Sequence, residues 1–323
     1  MDILDLSKAP YSNRNGSYGG VAGDKDGVII GSQPWIVKYP KPTLGMAKID
    51  KLSPLALTPI SEFLGSHIYG LLGYPVQETL LGIRKGFVVV ACKDFCDEET
   101  RLYEMRTLKN IHLGEMRKEF GLDLHETGDD KLVSLPELFI HFQYNPEIAK
   151  IESLSRRFWD QVVIDGLLAN NDRNNGNWGV LAKGAERSLA PIFDNGSSFY
   201  PKKSEQAIEE TLALSEAEQT RNNANALEPY TLDGTTHLNY RRILSLSEKE
   251  IPAGQAKELR GSIIRNAALV EANWKAIEAL FDSTPEAYEG HEVLSRARKA
   301  YYLKSFKTRF EEVLLPRSRE LQD

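Results

Sequence analysis

Asn170-Asn171-Asp172-Arg173-Asn174-Asn175-Gly176-Asn177-Trp178-Gly179 is the stretch whose reading decides the fold. It follows a segment of helical periodicity and precedes one of strand character. It sets a carboxylate, Asp172, and a carboxamide, Asn177, five residues apart on a short polar loop. A hairpin's length later comes Pro191-Ile192-Phe193-Asp194-Asn195-Gly196, an apolar strand ending in Asp-x-Gly. Phosphoryl transfer from ATP calls for this set: one carboxylate to receive the hydroxyl proton, and an Asn with a second carboxylate to hold magnesium. The combination is far more specific than any one of its residues. Upstream, Ser153 to Leu168 reads as the helix that delivers the chain into the loop, with Phe158, Val162, Val163 and Leu167 at helical spacing. Downstream, strands over 177–181 and 189–193 flank Lys183-Gly184. That hairpin is expected to return Asp194 to the side of Asp172 and Asn177.

The N-terminal part carries parts that fit the same chemistry. Asn15-Gly16-Ser17-Tyr18-Gly19-Gly20-Val21-Ala22-Gly23 has four glycines in nine positions. Glycine lets backbone N–H groups turn toward an anion with no Cβ in the way. A plain hairpin turn is the blander reading. Val28-Ile29-Ile30 and Trp35-Ile36-Val37-Lys38-Tyr39-Pro40 read as strands around Gly31-Ser32-Gln33-Pro34. Lys38 sits in an apolar strand, where an ammonium is costly unless it is partnered or keeps its head in water at a sheet edge. Residues 61–72 have helical spacing, with Phe63, Ile68, Leu71 and Leu72 on one face, Thr58 or Ser61 available as cap and Gly73 as terminator. Glu62 is then either an exposed carboxylate favoured by the helix dipole or the partner that fixes Lys38 against ATP phosphates. Strands over 77–82 and 86–92 follow. The second is apolar on both faces, as a central strand is. It runs into Lys93-Asp94-Phe95, where the composition shifts, so a lobe boundary is expected between 1–95 and 96–323.

Residues 96–150 are charged and read as helical in pieces, with a turn near Gly128-Asp129-Asp130; 202–252 is mixed helix and loop. Lys202-Lys203 reads as a solvated pair, with contact to an acidic substrate as the alternative. Two amphipathic helices close the chain. Ile263 to Phe281 aligns Val270, Trp274, Ile277 and Phe281, and Leu294 to Leu315 aligns Tyr302, Phe306, Phe310 and Leu314 before Pro316 stops it. The 323-residue chain is 41% hydrophobic and 27% charged, as soluble globular proteins are. Its formal charge of −6 gives no nucleic-acid footprint. Cys92 and Cys96 make no disulfide scaffold and fall short of the four ligands of a structural zinc site, so a buried strand end is expected there. No run of about 18 apolar residues is present and the acidic N-terminus is no secretory signal, so no membrane span is expected and the cytoplasm is the expected compartment.

Glycine loop, strand lysine, helix glutamate, apolar strand to a connector, D-x-x-x-x-N and strand-Asp follow one another in an order that resembles the HipA-like serine/threonine protein kinases. The chain is most similar to their short CtkA-type branch, which lacks the extra N-terminal subdomain of full-length HipA toxins. The likeness rests on Val21-Ala22-Gly23, Ile36-Val37-Lys38-Tyr39-Pro40, Ser61-Glu62-Phe63, Pro75-Val76-Gln77-Glu78-Thr79-Leu80-Leu81-Gly82, Val89-Val90-Ala91-Cys92-Lys93-Asp94-Phe95, and the two stretches around Asp172 and Asp194. It implies an α+β, two-lobed protein-kinase-like fold related to phosphoinositide kinases, with a small β-rich N-lobe and a larger, mainly helical C-lobe. It further implies Asp172 as catalytic base, Asn177 and Asp194 as magnesium ligands, and Lys38 on the ATP phosphates with Glu62 as its partner. Backbone groups from Lys93 to Phe95 would meet adenine, and Ser17, Gly19, Gly20, Val21, Ala22 and Gly23 would cover the phosphates.

Two departures stand out. Asn174 replaces a His found in many members. Gly20 occupies the position of an often autophosphorylated serine, for which Ser17 is the nearest substitute. The expectation is an ATP- and magnesium-dependent serine/threonine kinase, with autophosphorylation, acting on a protein hydroxyl. The rivals are a lipid or small-molecule kinase and a nucleotide-binding pseudokinase module. The presence of Lys38, Glu62, Asp172, Asn177 and Asp194 together weighs against the last. The family permits a toxin with an antitoxin-like partner, a separate chain supplying the N-terminal subdomain, or a stand-alone effector delivered elsewhere. The residues do not choose among these, nor do they name the substrate or the oligomeric state.

Overall fold

The computed structural model describes residues 2–15, 25–43, 51–121, 124, 126–128 and 132–323. The chain forms two compact units. One gathers residues 1–95, 195–223 and 271–308; the other gathers 96–194, 224–270 and 309–323.

In the first unit, five strands among the described residues form one sheet: β1 (Leu4–Asp5), β2 (Lys25–Ile30), β3 (Gln33–Lys38), β4 (Thr79–Arg84) and β5 (Phe87–Lys93), in the order β1-β4-β5-β3-β2. The β-branched run of β5 is buried from Val88 to Cys92 and pairs antiparallel on both sides, with Leu81 opposite Val90 and Val37 opposite Ala91. Burial on both faces is what its unbroken apolar character requires. Leu6, Val28, Trp35, Val37, Val89 and Ala91 fill the core of this sheet. Gly31 supplies the left-handed residue of the β2–β3 turn, at φ +62°.

The helix Thr58–Leu71 carries Pro59 in its first turn, where a missing N–H costs nothing. The expected side-chain cap is not formed: Leu57 occupies the N-cap position. Gly73, at φ +83°, ends the helix as expected, with its N–H on the Gly70 carbonyl. The buried face holds Ile60, Phe63, Leu64, Ile68 and Tyr69, together with Glu62. Elsewhere in the unit, Phe199 stacks on Tyr302 at 5.0 Å and meets Phe281 edge-on at 5.7 Å. The aromatic stripes of both C-terminal helices therefore serve as core.

In the second unit the helix Leu154–Leu168 is the central element. Phe158, Trp159, Val162, Val163, Ile164 and Leu167 are all buried. Trp159 has its indole N–H on Gln255, and Phe158 packs on Trp159, Trp178, Phe142 and Tyr230. The helix ends at Ala169, left-handed at φ +53°, with the Asn170 N–H returning to the Asp165 carbonyl at 2.9 Å. This turn fires the chain into the 170–179 loop. Strands β6 (Thr100–Glu104), β7 (Gly179–Lys183) and β8 (Glu186–Leu189) form an antiparallel sheet in the order β8-β7-β6. The hairpin sits a few residues away from the expected 177–181 and 189–193. The chain leaves β8 at Ala190-Pro191, and proline has no N–H for a ladder.

The stretch 96–150 resolves into β6 and the helices Met105–Ile111, Leu113–Phe120 and Leu135–Tyr144. Of its expected turn, Asp129 and Asp130 lie outside the described residues. The expected stop before Pro316 does not occur. The helix Arg296–Arg309 passes through a π-helical turn, Phe310–Leu314, into Leu315–Glu320, and Pro316 sits in the first turn of that last segment, where it is tolerated. No helix among the described residues is long and apolar enough to cross a membrane.

Candidate active site

Lys38 ends β3, and its ammonium lies 3.0 Å from Glu62 Oε2. The Glu62 side chain is 1% exposed and that of Lys38 17%. Burial rules out the solvated-carboxylate reading of Glu62. Its second oxygen is also committed: Glu62 Oε1 accepts the backbone N–H of Asn195 at 2.9 Å. The Asn195 amide in turn donates to Ser66 Oγ at 3.0 Å. The 195–198 segment can approach the helix this closely because residue 65 is glycine. A Cβ there would stand 2.8 Å from Asn195 Cβ and 3.1 Å from Ser198 Oγ.

The connector after β5 is tied down by its backbone. Lys93 N–H donates to the Glu78 carbonyl, the Lys93 carbonyl accepts from Gln77 Nε2, and Asp94 N–H donates to the Pro34 carbonyl. The Lys93 ammonium pairs with Glu78 at 2.9 Å at the surface, and Phe95 is half-buried. The glycine-loop residues Ser17, Gly19, Gly20, Val21, Ala22 and Gly23 lie outside the described residues. Lys203 is not the solvated lysine expected: it is half-buried, with its ammonium on Thr211 Oγ1 and the Tyr301 hydroxyl. Cys92 is buried at the strand end, as expected. Among the described residues no cluster of three or more His, Cys, Asp or Glu could hold a metal by itself.

The second unit holds the loop. Asn177 Nδ2 donates to the Asp172 carbonyl, which closes the loop on itself and leaves the amide oxygen at the other end of the side chain. Asn174 Nδ2 donates to Asp172 Oδ1 at 3.2 Å, and Asn174 Oδ1 accepts the Gly176 N–H at 2.8 Å. Asn174 thus orients the Asp172 carboxylate through a hydrogen bond from a neutral donor. Asp194 follows Phe193 in the left-handed region, at φ +61°.

Beneath the loop lies a feature absent from the sequence reading. Arg173, 1% exposed, forks onto the fully buried Asp165, with Nε to Oδ2 at 2.7 Å and Nη2 to Oδ1 at 3.1 Å. Its Nη1 donates to the Asn177 carbonyl at 2.8 Å and to the Phe193 carbonyl. Asp165 also accepts from Asn170 Nδ2 at 3.1 Å. Glu228 is fully buried as well. Burial and the charge of Asp165 push its carboxyl well above the usual carboxylate range, against the pull of Arg309 and Arg173. The signal for the clamp was present: an aspartate inside an otherwise apolar helix stretch, eight residues before a loop arginine.

The donor set suits magnesium. It is a carboxylate and an amide oxygen, hard ligands with no thiolate or imidazole, of the kind that substrate phosphates complete. Asn177 and Asp194 are the residues of this unit that could hold such an ion.

The fold is that of a HipA-like kinase. It superposes on the crystal structure of the Helicobacter pylori proinflammatory kinase CtkA with a TM-score of 0.80 at 25% identity, over 99% of this chain and 98% of that one. A chain of the Shewanella oneidensis MR-1 toxin–antitoxin complex of HipA, HipB and operator DNA matches with a TM-score of 0.55 at 13% identity, over 99% of this chain and 70% of that one; this likeness is one of fold alone. No family model matches the chain. In sequence it is 30% identical over 296 residues to the serine/threonine-protein kinase CtkA of Helicobacter pylori (strain J99 / ATCC 700824), covering 90% of this chain and 82% of that protein. The chain belongs to this family of HipA-like serine/threonine protein kinases.

Proposed function

We propose that this kinase transfers the γ-phosphoryl group of ATP, with magnesium, to a serine or threonine hydroxyl of a protein. The substrate oxygen forms the new bond to the γ-phosphorus, the bond to the ADP oxygen breaks, and Asp172 receives the hydroxyl proton. Asn174 holds the Asp172 carboxylate in place. Lys38 supplies a fixed positive charge for the phosphates, and Glu62 keeps its ammonium from swinging away. Magnesium, bound through Asn177 and Asp194, would neutralise phosphate charge. The connector from Lys93 to Phe95 is assigned to adenine, and the glycine loop from Ser17 to Gly23 to the phosphates. In this reading residues 1–95 are the N-lobe that carries the glycine loop, Lys38 and Glu62, and 96–323 the C-lobe that carries the catalytic loop and Asp194.

The observation that carries the reading is the Lys38–Glu62 pair at 3.0 Å, with the carboxylate buried. A strand lysine at a sheet edge would need no such partner. Autophosphorylation, with Ser17 as the candidate site, an antitoxin-like or subdomain-supplying partner chain, and action in the cytoplasm are parts of the same proposal.

Intact mass spectrometry after incubation with Mg-ATP, beside Asp172→Asn, tests it. The expected result is a gain of phosphate in the wild type alone. Phosphate transfer to a lipid or small molecule, with none to protein, would overturn the choice of acceptor. Failure to bind ATP would overturn the nucleotide assignment.

A further inference from the structure

Asp194 is a non-glycine residue at φ +61°. That conformation brings Cβ against the carbonyl and persists where the surroundings over-determine it. The surroundings here converge on one guanidinium. Arg173 Nη1 donates to the carbonyl of Phe193, which precedes Asp194, reaches the carbonyl of Asp194 itself at 3.5 Å, and donates to the carbonyl of Asn177 at 2.8 Å. The opposite edge of the same guanidinium is forked by Asp165 at 2.7 and 3.1 Å. Asp165 stands in the last turn of the helix Leu154–Leu168, which is buried from Phe158 to its end, and is itself 0% exposed.

One planar group therefore links the helix to the end of its own loop, at Asn177, and to Phe193-Asp194 beyond the hairpin. Each of these segments carries one of the oxygen donors assigned to magnesium. A lysine could not do this: it offers one nitrogen, whereas the guanidinium presents a rigid fork of donors on two edges.

We infer that Arg173, oriented by Asp165, is a positioning residue that sets the backbones of Asn177 and Asp194 against each other so that their side-chain oxygens meet one magnesium ion. The inference rests on the assignment of Asn177 and Asp194 to magnesium. Arg173 does not touch the ion or the substrate; it acts on the carbonyls beside the two ligands. Its loss should act on metal-dependent binding and leave contacts to the bare nucleotide alone.

The test is calorimetric titration of ATP, with and without magnesium, into the full chain and into Arg173→Lys and Asp165→Asn. In the wild type, magnesium is expected to tighten ATP binding. In Arg173→Lys that enhancement should shrink by about tenfold or more, the usual scale for groups that orient metal ligands, while the affinity for ATP without magnesium stays unchanged. Asp165→Asn keeps the shape of the side chain and one acceptor for Arg173 Nε, and should give a smaller loss in the same direction. It carries the test if Arg173→Lys does not fold. A packing role alone would lower the folded fraction without changing the ratio of the two affinities. An enhancement equal to the wild type's in either folded variant would overturn the inference. A wild type whose ATP binding is indifferent to magnesium would overturn the magnesium assignment itself, and the inference with it.

Discussion

Glu62 uses both carboxylate oxygens at once: Oε2 lies 3.0 Å from the Lys38 ammonium and Oε1 accepts the Asn195 N–H at 2.9 Å. The carboxylate is nearly inaccessible to water. Removing one partner of such a pair leaves a charge in a poorly solvated site. Glu62→Ala should therefore cost about 3 kcal/mol of stability, the low end of the range for buried pairs because Lys38 keeps some exposure. It should also lower phosphotransfer about a hundredfold, the scale of losing one preorganised electrostatic group. Denaturant unfolding and a phosphotransfer assay on the same preparation check both. An unchanged unfolding midpoint would show that the pair is held in water after all.

Gly65 is where that arrangement is most exposed to a single methyl group. A Cβ would stand 2.8 Å from Asn195 Cβ, and neither backbone has a flexible end to give way. Helix propensity alone favours alanine over glycine by about 1 kcal/mol. Gly65→Ala should nonetheless destabilise by about 1–3 kcal/mol, because overpacking outweighs propensity. The opposite sign in a thermal or urea melt would mean that the 195–198 segment yields at little cost.

The sequence was most legible where chemistry demands particular residue types at fixed spacing. The Lys38–Glu62 pair could be named because a strand and a helix place the two residues by local rules. Less legible was what depends on distant packing. The charged stretch 96–150 hides β6, whose partner β7 lies far along the chain, and no local periodicity announces that pairing. The stripes on the last two helices were readable as apolar faces, but not as the surroundings of Phe199. Pro316 reads as a stop because proline breaks helix interiors; the π-helical turn before it lets Pro316 fall in a first turn instead. Arg173 carries no local sign of burial in the sequence; its partner Asp165, buried in the preceding helix, is what shows it.

Asp172→Asn separates chemistry from binding. Asparagine preserves the shape and can still meet Asn174, whose Nδ2 lies 3.2 Å from Asp172 Oδ1, but it cannot take the hydroxyl proton. The turnover number should fall by about 10²–10⁴, the range for a lost general base, with ATP affinity unchanged. Single-turnover phosphotransfer and ATP calorimetry measure the two quantities. A variant with wild-type turnover would remove Asp172 from the role of base.

His141 gives the fold an acid sensitivity that has nothing to do with catalysis. The ring is fully buried, accepts from Asn145 Nδ2 at 3.3 Å, and has Nε2 4.0 Å from Glu137. Burial first, and then the positive charges of Lys109 and His112, push its pKa down to about 3. In the unfolded chain the same imidazole titrates near about 6.5. Between these two values the unfolded state binds a proton that the folded state refuses. Stability is therefore constant above the unfolded pKa and declines as pH falls toward the folded one. From about pH 7 to about pH 5 the loss attributable to this residue should be about 2 kcal/mol. His141→Gln keeps an acceptor for Asn145 and cannot protonate. Its urea midpoint should fall less than the wild type's over that interval, and equal falls in both proteins would assign the acid sensitivity to other groups.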